Sequence, residues 1–304
     1  MSENAELARI HADIEKAAGL LDVPCAREQV WPVLTAYESE LARSVIAFRV
    51  ATGERNAGEL DVRFTMFPPE TDPYATALAN DLTAKTDHPV GALLGEIHGR
   101  FPIDTSGIDF GVVRGFKKTW SFFPADDLQR VAPLADLPSI PPALGENLDF
   151  FTRHGLADKV SLVGIDYPHR TVNTYFGNPP AEVFEAATMR AILRETGLPE
   201  PSERLLRLGR EAFGIYTTVG WDSRRIERVC FAVMTPDPLT LPLTIEPEIE
   251  HFLRHYPHGG DDRRSVYAIT SAPDGEYHKV QAYYRWRPQM LNVMLLSDSG
   301  EGGA

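Results

Sequence analysis

The chain has 304 residues, a formal net charge of −13, 43% apolar residues and 24% charged residues. This composition supports a buried core organised as one large domain or two. The acidity excludes the basic footprint that nucleic acids and anionic membranes require, so an anionic ligand needs a local cluster of Lys and Arg.

Met1–Leu20 carries acidic residues and no charged-then-apolar leader, and no run of about 18 apolar residues occurs. The expectation is a cytoplasmic protein without a membrane segment. Helical periodicity over 5–20 and 26–37 precedes a strand pair, 43–51 with 58–66. Helices over 73–84 and 89–99 precede 105–113 with 116–123. A helix over 143–154 precedes 158–166 with 170–176. Helices over 180–195 and 202–211 precede 213–220 with 225–234, and one over 246–255 precedes 265–271 with 276–286. Short turn-rich segments, such as Arg114–Gly115 and Ala272–Gly275, join the members of each pair. The tail 297–304 is Gly, Ser and acidic, which predicts disorder. Cys25 and Cys230 sit in apolar surroundings without a CxxC partner and are expected to be buried structural thiols.

Helices followed by a hairpin, five times over, give an α+β chain with ten antiparallel strands. Such strands form an open sheet or a closed barrel, and closure removes the edges. Side chains alternate between strand faces. In 60–66, Leu60, Val62, Phe64 and Met66 oppose Asp61, Arg63 and Thr65. In 169–176, Val172 and Phe176 oppose His169, Thr171, Asn173 and Tyr175. In 226–234, Val229, Phe231 and Val233 oppose Arg228, Cys230 and Ala232, and 276–285 shows Tyr277, Lys279, Gln281, Tyr283 and Arg285 on one face. If helices pack on the apolar faces, the opposite face is cationic and aromatic, which describes a ligand chamber. A half-exposed sheet with a polar outer face is the alternative.

There is no Walker loop, no strand-adjacent GxGxxG, no DDxxD, no HExxH, no GxSxG and no zinc-ligand spacing. The positive signals are basic residues inside strands: Lys117-Lys118 in GFKKTW, Arg228 in RIERVCF, Lys279 in EYHKVQAYY, and Arg63 beside Asp61 in ELDVRF. One alone reads as a surface charge or a local ion pair. Several on an interior face imply an anion between them, because a lone buried charge is costly. Trp120, Tyr175, Phe213, Tyr216 and Tyr283 interleave with these cations and suit a carbocation.

The segments AGLLDVPCAREQVWPVL, DPYAT, GFKKTWSFFP, PPALGENLDFF, VNTYF, CFAV and AYY resemble the soluble bacterial aromatic prenyltransferases of the ABBA (alpha-beta-beta-alpha) family over nearly the whole chain. The resemblance implies one domain, 1–304, built as a ten-stranded antiparallel barrel with an accessible lumen and a ring of helices. It implies transfer of a geranyl or dimethylallyl group from its diphosphate to a small hydroxylated aromatic acceptor, in a monomer with no nucleic-acid or membrane partner. Lys118, Asn173, Tyr216, Arg228 and Lys279 match diphosphate-binding positions, and Lys118, Arg228, Lys279 and Tyr216 would serve the departing diphosphate. Tyr175, Phe213 and Tyr283 match pocket walls, with Ala232 and Gln289 assigned beside them. Asp61 matches the aspartate that holds magnesium in the magnesium-dependent members.

The chain departs from the family pattern at several of these positions. His169 replaces a Lys, making one permanent cation titratable. Arg49 and Arg63 each replace a Ser near Asp61, and both are counted with the diphosphate site. Trp120, Ser161 and Gly214 replace Tyr, Gln and Ser, which reshapes the aromatic pocket. Because Arg63 shares a strand face with Asp61, one of the two arginines is expected to take the charge role of Mg²⁺, making the metal dispensable. Two rival readings stand: the same barrel acting on an indole, phenazine or amino-acid acceptor, and a non-catalytic barrel carrying an isoprenoid or aromatic ligand.

Overall fold

A computed structural model describes residues 3–260 and 263–294; the tail 297–304 lies outside the described residues. The strands are β1 (Val45–Ala51), β2 (Asp61–Phe67), β3 (Thr105–Gly111), β4 (Gly115–Phe122), β5 (Val160–Asp166), β6 (Thr171–Phe176), β7 (Gly214–Gly220), β8 (Arg228–Thr235), β9 (Ser265–Ala272) and β10 (Gly275–Arg285). Each pairs antiparallel with its sequence neighbours, and β1 pairs with β10, so the sheet closes into a barrel. All ten expected strands are present, and closure decides between the barrel and the open sheet. No helix among the described residues is long and apolar enough to cross a membrane.

The hydrophobic core lies outside the barrel. Val62, Phe64, Ile108, Phe110, Val229 and Phe231 alternate along their strands toward the helices and are fully buried there. The helix Pro247–His255 sets Phe252 edge-on to Phe48, with ring centroids 6.5 Å apart. Local chemistry fixes where helices start. Asp72 accepts hydrogen bonds from the backbone N–H of Tyr74 and Ala75 ahead of Pro73, and Ser202 accepts from Leu205 N–H.

Several helices differ from their sequence patterns. The 143–154 helix breaks at Asn147 into Pro142–Glu146 and Leu148–Arg153, because the Asn147 amide donates to the carbonyls of Ala143 and Arg224. The patterns at 89–99 and 180–195 each open with a three-residue-per-turn helix, Pro89–Gly91 and Ala181–Phe184. The helix expected to reach residue 84 ends at Ala79, and Asp81 turns left-handed at φ 55°. Glu38–Leu41, Val131–Ala135 and Gln289–Val293 are further helices that periodicity does not reveal. They are a turn or so long, too short for a 3.6-residue pattern.

Four bulges interrupt the alternation and move side chains between faces, one of them in β5 between Val160 and Leu162 at Ser161. In β2 the register shifts between Thr65 and Phe67, with Met66 at φ 73°. Met66 therefore packs with Trp120 and Phe122 instead of on the helix side, and Phe67 stacks on Tyr37 outside. In β4, Asp109 opposes Lys118 while Phe110 opposes Phe116, leaving Lys117 as the extra residue. In β10, Ala47 opposes Tyr283 while Ile46 opposes Arg285. Arg285, assigned from sequence to the chamber face, points outward to Glu6 and the Leu41 carbonyl.

Phe48 is fully buried between Phe252 and Tyr284. Phe48→Ala is expected to cost about 3–5 kcal/mol of stability, read as a lowered denaturant midpoint with an unchanged slope.

Candidate active site

The barrel encloses a cavity of about 360 Å³ whose lining divides into a cationic half and an aromatic half. The cationic half begins on the neighbouring strands β1 to β5. Arg49 Nη1 donates to Asp61 Oδ2 at 2.9 Å, and Lys117 Nζ donates to Asp61 Oδ1 at 2.6 Å. Arg63 meets Asp109 through Nε (2.7 Å) and Nη2 (2.9 Å). Lys118 Nζ lies 3.1 Å from Asp166 Oδ2, and Asp166 Oδ1 accepts from His169, both at its backbone N–H (3.0 Å) and across 2.9 Å from Nδ1. Arg49, Arg63 and Lys118 each pair with an aspartate on an adjacent strand, and Lys117 reaches across β3 to share Asp61 with Arg49.

The opposite wall is different. Lys279 is buried, and among the described residues no carboxylate lies within ion-pair distance of Lys279 or Arg228. Lys279 Nζ sits 4.4 Å from the Tyr216 ring centroid, and Arg228 Nη2 reaches only Thr171 Oγ1, at 3.4 Å. Burial pushes the Lys279 ammonium well below its ordinary range, and Arg49, Lys118 and Arg63 push it further. Lys118 is lowered to about 8 by burial, opposed by Asp166 and reinforced by Arg49. Burial pushes the Asp166 carboxyl up, but Lys118 and the His169 hydrogen bonds outweigh it and hold the carboxyl well below the usual range. Nearby, Asn173 Oδ1 accepts from Thr218 at 2.8 Å, which leaves the Asn173 amide N–H₂ on the chamber side.

The aromatic half is built on Trp120, Tyr175, Tyr216, Phe213 and Tyr283. Tyr175 stacks on Tyr216 with centroids 4.1 Å apart, and Trp120 meets Tyr175 edge-on at 5.6 Å. Trp120 is fixed by Nε1–H donating to Asp109 Oδ1 at 2.8 Å and by the Arg63 guanidinium 4.0 Å from its ring centroid. Gly164 makes this possible: a Cβ there would lie 2.3 Å from Trp120 Cζ3. Ser161, Gly214 and Ala232 complete this wall with small side chains, and a Cβ at Gly214 would meet open space.

Every sequence-derived site residue lines the cavity except Asp61 and Gln289. Asp61 stands behind Arg49 and Lys117, with both carboxylate oxygens held by cations. Gln289 is exposed, because Gln289–Val293 turns its neighbour Met290 inward onto Tyr283 and Val45. Of the two arginines placed beside Asp61, one of which was expected to pair with it, Arg49 does so and Arg63 turns to Asp109. Sequence reasoning missed Asp109, Asp166 and Met290, and it singled out Lys117 and Gln281 without giving either a place in the site. Lys117 is hidden by the β4 bulge, since strict alternation sends one of two adjacent lysines outward. Asp109 in GIDFG was legible as a lone carboxylate on a strand otherwise free of charge. Cys230 is buried as expected, whereas Cys25 is only half-buried.

Residues 5–294 match the protein family described as Aromatic prenyltransferase Orf2. The chain belongs to the Orf2 aromatic prenyltransferase family. A relative from Streptomyces anulatus, 5,10-dihydrophenazine-1-carboxylate 9-dimethylallyltransferase, is 54% identical over 99% of this chain and 100% of its own length. The furaquinocin biosynthesis prenyltransferase of Streptomyces sp. (strain KO-3988) is 51% identical over 93% of this chain and 91% of its own. The flaviolin linalyltransferase of Streptomyces virginiae is 48% identical over 94% and 95%. The chain is therefore an aromatic prenyltransferase, and the reading as a non-catalytic carrier is set aside.

In this Orf2 prenyltransferase both Asp61 carboxylate oxygens already face cations, which Mg²⁺ would have to displace. A divalent ion needs free carboxylate oxygens, and Lys117 and Arg49 each take one. Gly164→Ala is expected to expel the Trp120 ring and break its bond to Asp109. The cost should be about 1–3 kcal/mol, read by denaturation together with a changed near-UV circular dichroism signal.

Proposed function

We propose that this prenyltransferase transfers a geranyl or dimethylallyl group from its diphosphate to a hydroxylated aromatic acceptor such as a dihydroxynaphthalene. The observation that carries the reading is the pair Lys279, buried, and Arg228, half-buried: cations lining the cavity without carboxylates, opposite a wall of stacked rings. The relatives' names support the substrate classes, since they include dimethylallyl and linalyl transfer and the acceptor flaviolin. The relative named for a dihydrophenazine carboxylate supports a phenazine-type acceptor as the second reading.

In the proposed reaction the diphosphate sits against Lys118, Arg228, Lys279 and Tyr216, with Asn173, Arg49 and His169 around it. As the allylic C–O bond breaks, charge collects on the diphosphate, and cations already in place stabilise it without reorganisation. The allylic cation lies against Tyr175, Tyr216 and Trp120, each ring contact contributing about 0.5–2 kcal/mol. A ring carbon of the acceptor attacks the cation, a C–C bond forms, and the arenium ring loses its proton to water or the departing diphosphate. The tyrosines are poor bases for that proton. Burial raises the Tyr175 phenol above its usual range and Tyr283 to about 12, so both stay protonated near neutral pH. In this scheme Lys117 and Arg49 supply the charge at Asp61, and no step uses a metal.

Incubation with geranyl and dimethylallyl diphosphates and a panel of dihydroxynaphthalenes and dihydrophenazines is expected to give a product of acceptor plus prenyl mass. Yield should be the same in excess EDTA as with Mg²⁺; loss in EDTA restored by Mg²⁺ would refute metal independence. Lys279→Met should lower kcat/KM for the donor by about 10²–10³. A lysine whose folded pKa is lowered to about 8 keeps its cation below that pH and loses it above. Donor kcat/KM should therefore fall as pH rises through about 8, and Lys118→Arg should move that limb upward; an unmoved limb would assign it to another group.

A further inference from the structure

The two arginines that sequence places beside one aspartate part company in the barrel. Arg49 stays with Asp61 and faces Gln281, and Ala51, two residues along the same strand, faces Lys279. Arg63 faces Ala47, whose partner on the other side is Tyr283. Tyr283 lies four residues beyond Lys279 on β10, roughly 13 Å of extended strand. Arg49 therefore belongs with the diphosphate end, and Arg63 stands where the two ends meet, next to Tyr283 through Ala47 and to Lys118 through Asp109.

Arg63 is also immobilised in a way Arg49 is not. Asp109, fully buried, takes both Nε and Nη2 of Arg63 and at the same oxygen takes the Trp120 indole N–H. The guanidinium plane is packed over the Trp120 ring. Nη1 makes no hydrogen bond within the protein among the described residues, and Arg63 lines the cavity. The charges nearest to it have been accounted for. Asp109 compensates it, Arg49 and Asp61 pair with each other, Lys118 pairs with Asp166, and the phenols of Tyr175 and Tyr283 stay neutral. A buried Arg–Asp pair is seldom more stable than apolar side chains of the same volume, so stability gives little reason for one in an aromatic wall. A rigid, oriented guanidinium edge suits an oxygen anion.

We propose that Arg63 is a specificity-determining residue that binds an acidic oxygen on the aromatic acceptor, a ring carboxylate or an ionised hydroxyl. The assignment rests on the prenyltransferase reading of the same chamber. Anchoring that oxygen on Nη1, with Trp120 and Tyr175 flanking the ring, fixes which ring carbon faces the allylic cation. Arg63 thereby sets the position prenylated as well as the acceptor chosen.

The test is equilibrium binding, read by calorimetry, of three probes on one ring system: a dihydroxynaphthoate, a dihydroxynaphthalene and a dimethoxynaphthalene. Inorganic pyrophosphate serves as the donor probe. At neutral pH the wild-type protein should bind the naphthoate at least about tenfold tighter than the dimethoxy compound. Raising the pH toward the phenol range, about 9–10, should tighten the dihydroxynaphthalene alone, which separates an ionised hydroxyl from a carboxylate. Arg63→Met combined with Asp109→Asn removes the pair without leaving a lone buried carboxylate. This double variant should bring the naphthoate preference to about threefold or less while pyrophosphate affinity changes by about twofold or less. Arg63→Lys, which keeps the charge but loses the fork, should keep part of the preference. Equal wild-type affinity for the naphthoate and the dimethoxy compound would overturn the assignment. So would a double variant that loses pyrophosphate and keeps its acceptor preference, because Arg63 would then serve the donor. Product formation with geranyl diphosphate, run in parallel, bears on the transferase reading alone, and the binding comparison decides Arg63 independently of it.

Discussion

Everything in this molecule depends on the core lying outside the barrel. Strand side chains alternate between two faces, and here the aliphatic and phenylalanine residues take the outer one. The helices cover that face and supply the burial that makes the fold stable. The interior is thereby released from packing duty. It holds charges and rings around a cavity, which a barrel filled by its own core side chains does not allow.

Charge in that interior is distributed unevenly, and the unevenness is the chemistry. A lone ion in a low-dielectric space is costly, so the cations of β1 to β5 are each matched by an aspartate one or two strands away. On the far wall Lys279 and Arg228 lack that compensation, and Lys279 responds by holding its proton weakly. A chain of net charge −13 thus gathers several of its cations around one enclosed volume.

The bulges are the means by which a regular sheet carries irregular chemistry. One extra residue in β4 turns both Lys117 and Lys118 inward, so that one closes Asp61 and the other pairs with Asp166. The bulge in β2 brings Met66 to the rings, and the one in β10 sends Arg285 out to the N-terminal helix. Gly164 acts with them, leaving on β5 the space that the Trp120 indole fills.

The amino-acid sequence by itself determined the elements and most of the chamber lining. Period-two alternation and turn residues locate all ten strands, and the polar faces so defined carry Asn173, Tyr175, Arg228 and Lys279, which meet in the cavity with Arg49 and Lys118, the two residues that the family resemblance supplied. These readings succeed because alternation is a local property of an extended chain. Tertiary structure alone decided closure, the partners of the charges, and the residues next to irregular backbone. Arg63 seemed to belong to Asp61 two positions away, yet a neighbouring strand supplies Asp109 at a distance where both guanidinium donors are met. Lys117 was lost to strict parity because a bulge leaves no mark in a one-residue pattern. Gln289 was assigned inward, but a single short turn rotates it out and Met290 in. Which cation stands beside which anion depends on strand register around a closed sheet, and register is a relation between segments far apart in sequence.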